Sequence, residues 1–295
     1  MRVFACTALV TMFASCAPRF QEQAVDLSKW GARFETLDGF TLHCKVVGEG
    51  KPVLYLHGFS SFLNVWEETA ARLAAVHRSI LVDLPGHGLS DRRDSDYTPA
   101  GVAGKVAGLL DRLGERKVSI VAHSWGASVA LAFALAHPDR VDRLVVVDGW
   151  VYSEQSNTFM DWCAAPGVGD ALMDVFYDQQ MEYRYAMAFH DPKAWMDEDI
   201  MAPLRKVMAL PGSRAAALAI LRGLKSLPAQ EARYGEVKSP TLCIWCRDDQ
   251  VAYLHYGERL ARELPDARLV VLPDCNHMPV VEQPHRFAML LKEFL

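Results

Sequence analysis

The stretch VSIVAHSWGASVALAFALAHP, residues 118–138, decides the fold. It opens with branched apolar residues suited to a strand and closes with an alanine-rich run suited to a helix, with Ser124 at the switch between them. Two readings follow. Serine is a favoured helix N-cap, because its hydroxyl can accept an orphan backbone N–H. Serine is also the nucleophile of a tight strand-to-helix turn, in which small residues two positions either side let strand and helix approach. Ala122 and Gly126 occupy those positions here, although the full pattern has glycine at the first.

Outward from this turn, continuous apolar runs alternate with helical ones. Strands are expected at Thr41–Val47, Val53–Leu56, Ile80–Asp83, Val118–Ala122, Leu144–Asp148, Thr241–Trp245 and Arg268–Leu272. Strands apolar on both faces belong to a sheet covered by helices on both sides, so the fold class is α/β with a mostly parallel central sheet. The covering helices are expected at Asn64–Ala75, Pro99–Leu113, Trp125–Ala136, Tyr256–Glu263 and Pro284–Phe294.

The interval from Asp148 to Thr241 breaks this rhythm. It far exceeds the usual connection of about 4–6 residues, so it must fold on its own. Met173, Phe176, Tyr177, Gln180, Met181, Arg184, Tyr185 and Ala188 follow helical spacing, and Ile200–Met208 and Arg214–Leu224 suggest two further helices. Residues 150–232 are read as a helical cap inserted into a core of residues 30–149 and 233–295. The aromatic and methionine stripe reads mainly as packing against the core.

Composition bounds the function. The chain has 295 residues, 51% hydrophobic and 23% charged, with a net charge of −5. Lys and Arg form no concentrated basic face, which argues against a nucleic-acid partner. Residues 1–17 read as an export leader: Arg2, an apolar run from Val3 to Phe13, then small residues. That run is short of the roughly 20 residues that span a bilayer. FASC, residues 13–16, resembles a bacterial lipobox, which would lipidate Cys16 and hold the protein at a membrane; cleavage after Ala17 and an uncleaved N-terminus are the alternatives. Beyond the leader, Cys44, Cys163, Cys243, Cys246 and Cys275 form no disulfide framework, CIWC at 243–246 reads as strand packing, and one pairing, Cys246 with Cys275, stays open.

Three more stretches bear on Ser124. VLYLHGF, residues 53–59, ends a strand with a glycine that lets the Phe59 N–H turn toward the space above the sheet. Together with the Trp125 N–H it would make an oxyanion hole. His57 is expected to shape this loop. For such a turn the acid and base follow the serine in chain order. Asp248 and Asp249 come just past one strand, and His277 just past the last.

LHGF (56–59), DLPGHGLSD (83–91), AHSWGAS (122–128), IWCRDD (244–249) and PDCNHMPVVEQP (273–284) together resemble the α/β-hydrolase superfamily, in its cap-bearing lineage, over residues 34–295. The resemblance implies Ser124 as nucleophile, His277 as base and Asp249 as acid, with Asp248 a less favoured neighbour and Asp148 a known alternative position. It also assigns Asp83 and His87 to a loop beside the turn instead of a metal site, and it implies no cofactor. Ala122, Cys246 and Asn276 stand where glycine is common. The expected activity is hydrolysis of a small or medium apolar ester through an acyl-enzyme. Carbon–carbon, amide or lactone hydrolysis, perhydrolysis, and ligand sensing without turnover are the rivals.

Overall fold

The computed structural model describes residues 33–177, 185–196 and 198–295. The expected leader with Cys16, and Gln180, Met181 and Arg184 of the predicted cap helix, lie outside the described residues. Eight strands form one sheet: β1 (Arg33–Leu37), β2 (Phe40–Val47), β3 (Lys51–Leu56), β4 (His77–Val82), β5 (Val118–His123), β6 (Val141–Val147), β7 (Thr241–Cys246) and β8 (Ala267–Leu272), in the order β1-β2-β4-β3-β5-β6-β7-β8. From β4 across to β8 every neighbouring pair is parallel, while β1–β2 and β2–β4 are antiparallel.

The strand β1 has no counterpart in the sequence reading. Its residues are largely exposed on both faces and it pairs only with β2, so it carries no apolar alternation to detect. The signal it does leave is Asp38-Gly39, both with positive φ (48° and 82°), the dipeptide that a tight hairpin between right-twisted strands requires.

The two-sided apolar strands sort their side chains by parity. Leu54, Leu56, Ile120, Ala122, Leu144, Val146, Cys243 and Trp245 face one core. Helices α2 (Pro99–Arg112), α3 (Trp125–Ala136) and the later Leu254–Glu263 cover it through Val106, Leu110, Phe133 and Leu260. Val53, Tyr55, Val121, Val145, Leu242 and Ile244 face the opposite core, covered by α1 (Glu67–Leu73) and the terminal helix Pro284–Phe294 through Ala70, Leu73, Phe287 and Leu291. The predicted helix from Asn64 begins instead as a 3-10 turn, Leu63–Trp66, that runs into α1.

Between β6 and β7 lie α4 (Thr158–Ala164), α5 (Val168–Phe176), α6 (Glu198–Met208) and α7 (Ser213–Gly223). Met173, Tyr177, Met201, Leu204, Leu218 and Leu221 bury one another together with Phe62 and Leu89 of the core loops. The predicted long amphipathic helix has its described N-terminal part ending at Phe176, and residues 185–188 are helical.

Phe287 is completely buried between the terminal helix and the sheet. Phe287→Ala is expected to cost about 3–5 kcal/mol of unfolding free energy, measured by urea denaturation; a loss below about 1 kcal/mol would contradict this packing.

Candidate active site

Ser124 sits between the last residue of β5 and the first of α3, with φ +52° and ψ −123°, a conformation that L side chains adopt at a cost of about 1–3 kcal/mol. Surrounding bonds hold it there. Its N–H donates to Val147 O at 3.0 Å, and its carbonyl accepts from Ala127 N at 3.0 Å and Trp150 N at 2.9 Å. The hydroxyl makes no helix-capping bond. It lies 3.0 Å from His277 Nε2 instead, so the N-cap reading of this serine does not hold. Gly126 is obligatory for the approach of α3 to β3, since a Cβ would stand 2.5 Å from His57 O and 2.7 Å from Leu56 O. At the other small position, Ala122 is accommodated fully buried in the core facing α3.

His277 follows β8, and its Nδ1 lies 2.8 Å from Asp249 Oδ2. The other Asp249 oxygen accepts the N–H groups of Val251 and Ala252, both at 2.7 Å, in the turn after β7. A carboxylate accepts only, so Nδ1 carries the proton and Nε2 presents its lone pair to the serine hydroxyl. Serine, histidine and aspartate therefore form one hydrogen-bonded chain in which His277 can take the Ser124 proton and Asp249 can stabilise the resulting imidazolium.

The two alternative aspartates are placed elsewhere. Asp248 points outward, 44% exposed and 3.9 Å from His190 Nδ1. Asp148 follows β6 directly with φ +41°, and its Oδ1 accepts the Cys246 N–H at 2.8 Å. Burial, reinforced by the nearby Asp249 carboxylate, holds the Asp148 carboxyl well above the usual range. Its carboxyl group meets the Cys246 N–H, whereas the His277 ring is held by Asp249.

Trp125, at the first turn of α3, and Phe59, in the loop after β3, line the same cavity as Ser124. Among the described residues neither backbone N–H donates to another carbonyl, leaving both free for a developing oxyanion. His57 Nε2 accepts the Leu84 N–H at 3.0 Å and its Nδ1–H donates to Gly58 O at 2.8 Å. The ring is buried, which lowers its pKa, and it pins two loops together. Asp83 is equally committed, accepting from Leu63 N at 2.7 Å, Leu89 N at 2.8 Å and the His43 ring at 2.6 Å.

Two residues that the sequence reading gave no role belong to this neighbourhood. His123, buried and with its pKa pushed well down by burial, donates from Nε2 to His277 O at 2.7 Å. Asn276 accepts the Gln250 N–H at 2.9 Å and donates to Met187 O at 2.9 Å. Each is a buried polar residue next in sequence to Ser124 or His277, and Asn276 also stands where glycine is common.

The cavity encloses about 440 Å³ above Ser124 and His277, walled by core residues and by Phe159, Met160 and Leu221 of the α4–α7 region. The lining is mainly apolar, with Ser60, Ser61, Gln155, Asn157 and Gln250 among its polar points.

Ser124→Ala is expected to abolish covalent labelling by a fluorophosphonate probe while leaving the circular dichroism spectrum unchanged. Undiminished labelling of the folded variant would place the nucleophile elsewhere. Asp249→Asn is expected to lower kcat by about 10⁴, and Asp248→Asn by no more than about tenfold, because only the former orients the imidazole; steady-state kinetics showing the reverse ranking would move the acid by one residue.

Comparison with known proteins extends these observations. The sequence profile of the alpha/beta hydrolase family matches residues 53–290. The chain is similar to the 2-hydroxy-6-oxononadienedioate/2-hydroxy-6-oxononatrienedioate hydrolase of Burkholderia vietnamiensis, 32% identical over 86% of this chain and 90% of that protein. The enzyme of the same name from Cupriavidus pinatubonensis is 29% identical over 90% of this chain and 95% of that one. Among solved structures, a mutant of the meta-cleavage product hydrolase CumD superposes with a TM-score of 0.74 at 25% identity, covering 89% of this chain and 97% of that chain. The profile match takes in the turn at Ser124 and the loops of Asp249 and His277, and the chain belongs to the alpha/beta hydrolase family.

Proposed function

We propose that this hydrolase cleaves a carbon–carbon bond beside a ketone in a small 2-hydroxy-6-oxo-dienoate-type acid, with Ser124 as nucleophile, His277 as base and Asp249 as acid. The observation that carries this reading is the similarity, across nearly the full length, to hydrolases named for oxo-dienedioates. Such a named substrate contains no ester, so its hydrolysis breaks a carbon–carbon bond. The reading replaces the ester hydrolysis that stands first on sequence alone.

The chemistry sets what the site must do. A carbon leaving group departs only as a stabilised carbanion, which the conjugated keto acid provides as an enolate. Ser124 Oγ attacks the 6-oxo carbon as its proton passes to His277 Nε2. The oxyanion is held by the N–H groups of Phe59 and Trp125, each contributing about 2.7–4 kcal/mol. With the 2-hydroxyl proton first moved to C5, giving the 2-oxo-3-ene tautomer, the C5–C6 bond breaks, its electron pair passes through C4 and C3 to the 2-oxo oxygen as a dienolate, and the imidazolium protonates that dienolate. Water, deprotonated by His277, releases the acyl group from Ser124. The cavity of about 440 Å³ accommodates a substrate of this size.

Stopped-flow loss of the dienolate absorbance of 2-hydroxy-6-oxo-6-phenylhexa-2,4-dienoate, compared with hydrolysis of p-nitrophenyl acetate, tests the preference. The expected kcat/KM is at least about tenfold higher on the dienoate. A preference for the ester would return the function to esterase, and an absence of multiple turnovers on both would favour ligand sensing.

We further propose that the protein works outside the cytoplasm, anchored through a lipidated Cys16. The leader of residues 1–17 supports this. So does the pairing of Cys246 with Cys275, since disulfides persist chiefly in oxidising compartments. Mass spectrometry of the mature protein is expected to find an acylated N-terminal Cys16; an unmodified start at Pro18, or an intact Met1, would remove the anchor.

A further inference from the structure

Cys246 and Asn276 stand where the family resemblance implies glycine, and each makes a cross-link that glycine could not. Cys246 ends β7, three residues before Asp249, and Cys275 lies two residues before His277. Their sulfurs are joined, with Cα atoms 5.4 Å apart, and both side chains are fully buried. The same two loops are tied by Arg247 N–H to Leu272 O at 2.8 Å and by Gln250 N–H to Asn276 Oδ1 at 2.9 Å.

The loop of His277 is also held from the opposite side. Asn276 Nδ2 donates to Met187 O at 2.9 Å and Phe189 O at 3.3 Å, and the His277 N–H donates to Ala188 O at 2.9 Å. Glu282 accepts from Asn276 N at 3.0 Å and from His190 N at 2.8 Å. A shift of the segment 187–190 therefore pulls on the residue that carries the imidazole. Of the ties to the Asp249 loop, the disulfide alone is covalent and cannot exchange with water.

We propose that the Cys246–Cys275 disulfide, assisted by Asn276, is a positioning device that fixes the separation of Asp249 and His277. The proposal rests on the triad roles given above. Neither cysteine touches the reacting atoms; both act through the loops that carry the acid and base. Displacements near 1 Å in such a site can cost about 10²-fold in rate.

The test is the rate of fluorophosphonate labelling at Ser124, resolved into its saturating rate and its half-saturating probe concentration, on the full chain. Two forms without the disulfide are compared with the oxidised protein. One is Cys246→Ala/Cys275→Ala. The other is wild type reduced by dithiothreitol, which gives up two electrons and two protons, closes its own disulfide ring and leaves Cys246 and Cys275 as thiols. In both, the saturating rate is expected to fall about tenfold or more while the half-saturating concentration stays within about twofold. Reoxidation of the reduced sample with oxidised glutathione is expected to restore the rate. If the double variant does not fold, the reduced protein carries the same comparison. A lower Tm with an unchanged saturating rate would make the disulfide a structural staple only and overturn the proposal. Failure of the oxidised wild type to label at all would instead overturn the serine nucleophile, and the positioning role with it.

Discussion

The strained turn at Ser124 is the constraint on which the rest of the site depends. A non-glycine residue with φ +52° persists only where its surroundings over-determine it, and here three backbone bonds and the contact of Gly126 with the β3 carbonyls do so. The consequence is directional. The hydroxyl is turned away from the helix end that it would otherwise cap and toward His277, and the first N–H of α3 is left beside it.

The parallel sheet delivers the remaining groups to the same place. In β3, β5, β7 and β8 the chain runs in one direction, so Phe59, Ser124, Asp249 and His277 all follow the carboxyl ends of parallel strands of one sheet. The parity of side chains along those strands fixes their two cores and hence their register. Function at this edge thus follows from burying Val, Leu and Ile on both faces of the strands, with Ser124, Asp249 and His277 set in the turns that follow them. The α4–α7 region adds apolar side chains, Phe159, Met160 and Leu221, to the wall of the cavity above this edge.

The elements most legible in the sequence are those with strong local physics. The two-sided apolar strands, the alanine-rich α3 and the placing of Ser124, an Asp248–Asp249 pair and His277 after successive strands follow from hydrophobic patterning and turn chemistry alone. What escaped depends on contacts distant in sequence. The exposed strand β1 has no apolar face, and only its Asp38-Gly39 turn betrays it. The role of Asn276 rests on Gln250 and Met187, which no spacing rule brings near it. The choice between Asp249 and Asp248 required the family pattern, because adjacent residues in a turn differ only in which way they point. Substrate identity was least legible, since a cavity walled by Phe159, Met160 and Leu221 is set by how separate helices pack.

The central claim is that the backbone is already arranged around Ser124 for a tetrahedral, negatively charged intermediate. The crystal structure of the protein after reaction with a small alkyl fluorophosphonate tests it most directly. The account predicts a phosphorus–oxygen bond to Ser124 Oγ, with the phosphonyl oxygen about 2.7–3.1 Å from the N–H groups of both Phe59 and Trp125 and His277 still on Asp249. An adduct on another residue, or a phosphonyl oxygen turned away from both N–H groups, would contradict it.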